Sequence, residues 1–259
     1  MKLHYRSCAF RLAGICLLGF FLNACVTTTT GSHFSKNADK KRAVEQYTQL
    51  GLGYIQQGKT SEAMRPLKRA LEIDPQSPDV HNALAFLFQR EKQPDLADKH
   101  FKTALQYSPD NTKIHNNYAA FLFEQNRFEE ACKMLNRATS DSMYEFRARL
   151  YENLGLCYLQ LNDKDAALAA FERAVAIDDT QSRALLEAAI IHFERKNYDA
   201  SADFHKQYQR LVRYKMAPNM PQNLWLGVQL ARITGNKNEE ASYKMMLNNM
   251  FPDSNESKL

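Results

Sequence analysis

The sequence repeats its apolar pattern every 34 residues, and this period restricts the chain to a small set of folds. Each copy has large, large, small and large residues at its positions 4, 7, 8 and 11, followed by an Ala-x3-large-x2-Ala segment. The spacing i, i+3, i+4, i+7 predicts one buried face of a helix. Four copies carry the pattern, the last after two inserted residues: Tyr47, Leu50, Gly51, Tyr54, Ala63, Leu67, Ala70; His81, Leu84, Ala85, Phe88, Ala97, Phe101, Ala104; His115, Tyr118, Ala119, Leu122, Ala131, Leu135, Ala138; and Tyr151, Leu154, Gly155, Tyr158, Ala167, Phe171, Ala174.

Each copy therefore predicts two helices, called A and B, that pack against each other. The small residue at position 8 of helix A allows helix B to approach closely. Pro75 and Pro109 are placed to end helix B, and Pro78 and Pro94 to begin helices, where proline is tolerated. Pro66 falls inside the first helix B, which we expect it to kink or delay.

Two degenerate copies follow the four clear ones. The fifth contains Leu185, Ala188, Ala189, His192, Ser201, His205 and Tyr208. After four extra residues, Leu226-Gly227-x-x-Leu230 opens the sixth, whose second helix matches only with a small insertion near Ala241, Met245 and Pro252. Six copies and the inserted residues account for residues 44–253.

This pattern resembles the tetratricopeptide repeat. The resemblance implies an all-α superhelical solenoid of about six helix-turn-helix repeats over residues 44–253, with the fifth and sixth degenerate. We expect a disordered tail at 254–259.

The N-terminus has the pattern of an export signal. Residues 1–24 contain three basic residues, no acidic residue and an apolar run of 11 residues from Leu12 to Leu22, which is too short to span a membrane. The segment Leu22-Asn23-Ala24-Cys25 resembles the lipobox of bacterial lipoproteins. It implies that residues 1–24 are removed, that Cys25 carries acyl chains, and that Val26 permits transfer to the periplasmic face of a Gram-negative outer membrane. An ordinary cleaved signal is the alternative. We expect residues 25–43 to be the lipidated cysteine and a flexible tether.

Charge and cysteine content narrow the classes of partner and the compartment. The net charge of +5 falls to +2 without residues 1–24, which leave 31 basic and 29 acidic residues, so we expect no nucleic-acid partner. Beyond Cys25, only Cys132 and Cys157 remain. Both fall at positions expected to be buried, and we favour two buried thiols, although a disulfide is possible in an oxidising compartment.

The sequence contains no recognisable catalytic or metal-binding motif. His81 and His115 occupy equivalent positions of neighbouring repeats, so we expect them to pack rather than to share a metal. We therefore predict a protein that is not an enzyme, with no cofactor, no metal and no small-molecule substrate.

The exposed side of helix A is the candidate binding surface. Helical geometry places the residues near positions 2, 5, 6, 9, 12 and 13 opposite the packing face, and those at positions 5, 6, 9 and 12 form an apolar track edged by asparagines. An asparagine amide can bond a peptide backbone as donor and acceptor, while leucine and phenylalanine take side chains. The alternative is that some of them pack against neighbouring helices. The predicted protein-binding groove contains Leu52, Ile55, Asn82, Phe86, Asn116, Asn117, Phe123, Asn153, Leu156 and Leu159.

A lipobox, a short tether and six such repeats together resemble the type IV pilus biogenesis and stability lipoproteins, the pilotins of the outer-membrane secretin. The segment HNNYAAFLFEQNRFEEA is typical of their third repeat. The resemblance implies that the chain binds the secretin subunit, brings it to the outer membrane and promotes ring assembly, and thereby twitching motility. A lipoprotein adaptor for another envelope machine, such as β-barrel assembly or peptidoglycan-hydrolase regulation, is the alternative.

Overall fold

The computed structural model describes residues 33–258, which form six pairs of antiparallel helices. The chain divides into two compact units, Met1–Ala43 and Val44–Leu259. The A helices are α1 (His33–Gln56), α3 (Pro78–Arg90), α5 (Thr112–Glu124), α7 (Arg147–Gln160), α9 (Ser182–Glu194) and α11 (Pro221–Thr234). The B helices are α2 (Thr60–Ile73), α4 (Pro94–Tyr107), α6 (Phe128–Thr139), α8 (Lys164–Ile177), α10 (Tyr198–Arg213) and α12 (Lys237–Met250). The expected all-α solenoid of about six helix-turn-helix repeats is confirmed.

In repeats 1 and 4, glycine at position 8 lets the B helix pack directly on its A helix. A Cβ added to Gly51 would lie 2.6 Å from the Leu67 side chain, and one added to Gly155 would lie 2.5 Å from Phe171. Both distances are far below van der Waals contact, so the close approach of the two helices depends on the missing side chain.

The sixth repeat follows the same geometry without the expected insertion. Gly227 faces Tyr243, 16 residues later, as Gly51 faces Leu67. The expected contact residues Ala241 and Met245 are exposed, so their assignment to the packing face is wrong. Glu239 occupies the position where helix B of the other repeats carries a small residue, so the sequence pattern matches only when it is moved toward Ala241.

Prolines and left-handed residues set the ends of the helices. The B helices α2 and α4 end two residues before Pro75 and Pro109, and Pro78 and Pro94 are the first residues of their helices, as predicted. Pro66 lies within α2, which nevertheless begins at Thr60, so the helix is not delayed. The A-to-B turns of repeats 1–5 each contain one residue with positive φ: Gly58, Lys92, Asn126, Asn162 and Lys196.

A disulfide joins the third and fourth repeats. Cys132 on α6 is bonded to Cys157 on α7, with their Cα atoms 5.7 Å apart. Both cysteines are buried, as expected, but the preference for two free thiols is wrong. Burial alone could not distinguish the two states, since a bond also needs the two helices to stack at this register.

Both expected ends of the domain differ from the structure. Helix α1 begins at His33, so residues 33–42 are helical where a flexible tether was expected. Lysine, alanine and arginine favour helix even where no apolar face is buried. Part of the expected tail forms a 3₁₀ turn, Glu256–Lys258, which contacts α11 and α12. Cys25 and the rest of the tether lie outside the described residues. Between residues 33 and 258, none of the helices has the length and apolar content to cross a bilayer.

Candidate protein-binding groove

Asparagines connect the A helices of neighbouring repeats. The Asn117 Nδ2 donates to the Asn82 Oδ1 at 3.2 Å, and the Asn153 Nδ2 donates to the Asn116 Oδ1 at 3.3 Å. Each bond joins position 5 of one repeat to position 6 of the next. Equivalent heights along α3, α5 and α7 therefore face each other, and these helices run parallel.

A pocket of about 270 Å³ lies between α5 and α7. It brings together four of the predicted groove residues: Asn116, Phe123, Asn153 and Leu156. Its other lining residues are Ala119, Ala120, Glu124 and Leu135. Ala120 and Glu124 occupy positions 9 and 13 of the predicted groove pattern but were not among the chosen groove residues, whereas Leu135 comes from helix B and carries no such signal.

The two asparagines at the pocket retain unused hydrogen-bonding groups. Among the described residues, no group bonds to the Asn116 Nδ2 or to the Asn153 Oδ1. One free donor and one free acceptor therefore stand at the edge of an apolar cavity. This combination matches an extended backbone, which offers both a carbonyl and an N–H, with an apolar side chain between them.

The remaining predicted groove residues divide into accessible and buried ones. Ile55 is only 7% exposed and belongs to the core of the first two repeats, so its assignment to the groove is wrong. Asn82 is 3% exposed and serves as an acceptor for the Asn117 amide instead of offering itself to a partner. Both lie where a neighbouring A helix covers the surface.

The other four are partly exposed and pack on the core with one side. Leu52 and Phe86 contact the core of the first two repeats, and Phe86 meets Phe101 edge-on with ring centroids 5.8 Å apart. Leu159 rests on the core of repeats 4 and 5, and Asn117 is held by its bond to Asn82. These side chains continue the track on both sides of the pocket.

A polar network holds repeats 2 and 3 together beside the groove. The half-buried Asp98 on α4 accepts a hydrogen bond from the Tyr118 hydroxyl at 2.8 Å and from the Arg127 Nη1 at 2.6 Å. Arg127 also pairs with Glu130. Although burial raises the pKa of Asp98, the hydrogen bonds from Lys102, Arg127 and Tyr118 outweigh it and hold that pKa below its usual value. The network fixes α5, one wall of the pocket.

The repeat histidines pack as expected. The His81 Nε2 bonds to the Pro75 carbonyl at 3.1 Å, and the His115 Nε2 bonds to the Pro109 carbonyl at 2.7 Å. Because a carbonyl only accepts, each Nε2 carries a proton. Over residues 33–258, no group of three or more potential ligands could hold a metal ion.

The two histidines differ in what satisfies the Nδ1. In repeat 2, the His100 Nδ1 lies 3.0 Å from the His81 Nδ1, within hydrogen-bond distance. Burial, and after it the charges of His81 and Lys99, lowers the pKa of His100 to about 4. Repeat 3 has Met134 at the position of His100, and the buried His115 Nδ1 has no partner there.

The chain is similar to known tetratricopeptide and pilus proteins. Residues 110–180 match a family described as tetratricopeptide repeat, and residues 51–91 match one described as TPR repeat. The type IV pilus assembly protein PilF of Pseudomonas aeruginosa is 37% identical over 244 residues, which cover 94% of this chain and 95% of that protein.

Solved structures show the same relationship. A structure of Pseudomonas aeruginosa PilF matches with a TM-score of 0.75 and 36% identity, covering 85% of this chain and 97% of that one. The crystal structure of PilW, a widely conserved type IV pilus biogenesis factor, matches with a TM-score of 0.64 and 26% identity over 83% of this chain and 96% of that one. The predicted resemblance is confirmed: the chain belongs to the tetratricopeptide-repeat family of type IV pilus biogenesis proteins that includes PilF.

Proposed function

We propose that this chain is a lipoprotein scaffold of the outer membrane that binds the secretin subunit of the type IV pilus and promotes assembly of the secretin ring. It acts without catalysis. Acyl chains on Cys25 hold it at the periplasmic face, and the groove along the A helices captures a segment of the partner. The lipobox sequence and the relationship to PilF support the anchor and the pilus role.

The pocket between α5 and α7 carries the binding part of this proposal. It offers an apolar cavity of about 270 Å³, and the free Asn116 amide and Asn153 carbonyl stand at its edge. An extended segment of the partner places one large apolar side chain in the pocket and pairs its backbone with the two asparagines. Phe86 and Leu159, which are partly exposed, contact the residues of the partner segment on either side of that side chain.

The test measures capture of the secretin by groove variants. Phe123→Glu places a carboxylate where an apolar side chain packs, at a cost of about 2–3 kcal/mol, so we expect affinity to fall by about 100-fold. Gln106→Glu adds the same charge to an exposed position of helix α4 and is the matched control. Both variants are checked for folding by circular dichroism, and partners are recovered from envelope membranes after cross-linking.

Three outcomes contradict the proposal. Unchanged secretin capture by Phe123→Glu removes the groove from the mechanism. Recovery of a β-barrel assembly protein or a peptidoglycan hydrolase in place of the secretin assigns the chain to another envelope machine. We expect Cys25→Ser to be folded but mislocalised, with a reduced yield of secretin rings. Normal membrane fractionation of this variant would contradict the proposed lipid anchor.

A further inference from the structure

Two connections between repeats are longer than the others. The connections at residues 74–77, 108–111 and 178–181 have four residues each and contain only aspartate, asparagine, glutamine, serine, threonine and proline. Those at residues 140–146 and 214–220 have seven residues each. We call these two the long loops. In the second, buried Ala217 packs on the core of the fifth repeat, and the Pro218 carbonyl accepts a hydrogen bond from the Tyr208 hydroxyl at 2.7 Å.

The long loops expose large apolar side chains, unlike the short connections. In the first, Met143 is 89% exposed and Phe146 53% exposed, with the Tyr144 ring packed against Phe146. In the second, Tyr214 is 68% exposed and Met216 57% exposed. These are among the most exposed apolar residues of the described chain, and each loop presents them as a pair.

Both long loops lie at the same edge of the repeat domain. Each B helix runs back along its A helix, so every connection from a B helix to the next A helix lies at the edge where the A helices begin. The repeat unit begins at Val44 within α1, and Val44 stands only 19 positions after Cys25.

Charge is not uniform along this edge. Arg213 and Lys215 flank Tyr214 directly, whereas Arg210 on the same helix is paired with Asp179 of a short connection. The first loop is followed by Arg147 and Arg149, but it contains Asp141 and Glu145. The short connections carry Asp74, Asp110, Asp178 and Asp179, so the positive charge is confined to the second loop. Aromatic rings and flexible apolar side chains beside lysine and arginine are typical of segments that lie at the lipid headgroups.

We propose that this edge of the domain rests on the bilayer, with Met143, Phe146, Tyr214 and Met216 entering the headgroup region of the phospholipid. The inference rests on the proposed lipid anchor at Cys25, which brings the edge to the membrane. The acyl chains supply the affinity, and the long loops fix the orientation of the repeats. The groove then faces along the membrane surface in a defined direction.

The experiment measures the depth of each loop with a single added tryptophan. Met143→Trp, Tyr214→Trp and Gln76→Trp are prepared as the lipidated protein and reconstituted in vesicles of phosphatidylethanolamine and phosphatidylglycerol with brominated acyl chains. Gln76 is an exposed residue of a short connection at the same edge and is the matched control. The parent protein, whose single tryptophan is Trp225, gives the background.

We expect bromine to quench the tryptophans at positions 143 and 214 and to shift their emission to the blue, with little change at position 76. Phosphatidylcholine vesicles should quench the tryptophan at position 214 less, because Arg213 and Lys215 flank it. Equal quenching at all three positions, or none at 143 and 214, overturns the inference. Cross-linking of the long loops to an envelope protein in native envelope membranes also overturns it, in favour of a protein partner. Mass spectrometry of the reconstituted sample separates these outcomes from failure of the anchor, since a chain without acyl groups contradicts the proposed function instead.

Discussion

Replacing Gly155 with alanine tests whether the contact between α7 and α8 sets the packing of the repeats. The new Cβ would lie 2.5 Å from the Phe171 ring, whereas carbon atoms pack at about 3.5–4.0 Å, so about 1 Å must be absorbed. Phe171 is fully buried and has little room to move. Overpacking of this kind costs about 1–3 kcal/mol, and the better helix propensity of alanine returns about 1 kcal/mol. We therefore expect a net loss of about 0–2 kcal/mol.

The matched control is Gly53→Ala in α1. A Cβ at Gly53 meets no atom within 4 Å, so only the gain in helix propensity remains, about 0.5–1 kcal/mol. The two variants carry the same chemical change and should shift stability in different directions. Their difference of about 1–3 kcal/mol corresponds to roughly 3–10 °C in the melting temperature of a domain of this size. Thermal unfolding followed by circular dichroism measures it.

A second substitution identifies the contact responsible. Repeat 3 pairs Ala119 with Leu135 at the equivalent positions, so Phe171→Leu should relieve the strain introduced by Gly155→Ala. The double-mutant cycle should then show a favourable coupling of about 0.5–3 kcal/mol. If Gly155→Ala stabilises the protein as much as Gly53→Ala, or if the coupling is zero, the close approach does not limit packing and the reasoning is refuted.

Three further predictions concern stability. Replacing Cys132 and Cys157 together by alanine should lower the free energy of unfolding by about 3 kcal/mol, the value for closing a loop of this length, and reduction of the parent protein should give the same loss in urea titrations. The folded pKa of His100 is about 4, below its ordinary value of 6.5, so the folded state resists protonation and stability falls as the pH drops from about 6.5 toward 4. His100→Met should make this loss smaller, and an unchanged slope would contradict the role of His100. Lys196 has a φ of 60°, so Lys196→Gly should stabilise by about 0.5–1 kcal/mol, whereas the control Asn162→Gly should have little effect because asparagine already tolerates this conformation.

The repeating pattern predicted the parts of the fold that each repeat determines for itself. The faces of the helices and the glycine contacts follow from spacing within one copy, and Pro78 and Pro94 mark helix starts without reference to distant residues. The pattern predicts the wrong register for helix B of the sixth repeat because that helix lacks the expected alanine. The correct register is visible in the structure, where Gly227 faces Tyr243.

Features that depend on how repeats stack were predicted less well. Cys132 and Cys157 are 25 positions apart, and no period in the sequence states that their side chains meet across the repeat boundary. The same reason explains Ile55, which occupies a groove position by helical geometry but is covered by a neighbouring helix. For the candidate site, the pattern named four residues of the pocket between α5 and α7 but not its floor, because Leu135 reaches the cavity from the other helix of the repeat.

The disulfide lies in the middle of an array whose units contact only their neighbours. In such an array the terminal units open first, since each has one neighbour and not two. A covalent link between α6 and α7 adds to this difference by tying together the two central units. Amide hydrogens of α5, α6 and α7 should consequently exchange most slowly, and those of the terminal repeats should exchange faster. The cavity between α5 and α7 therefore keeps its shape. A partner bound there would contact the most stable repeats, with more mobile repeats on both sides.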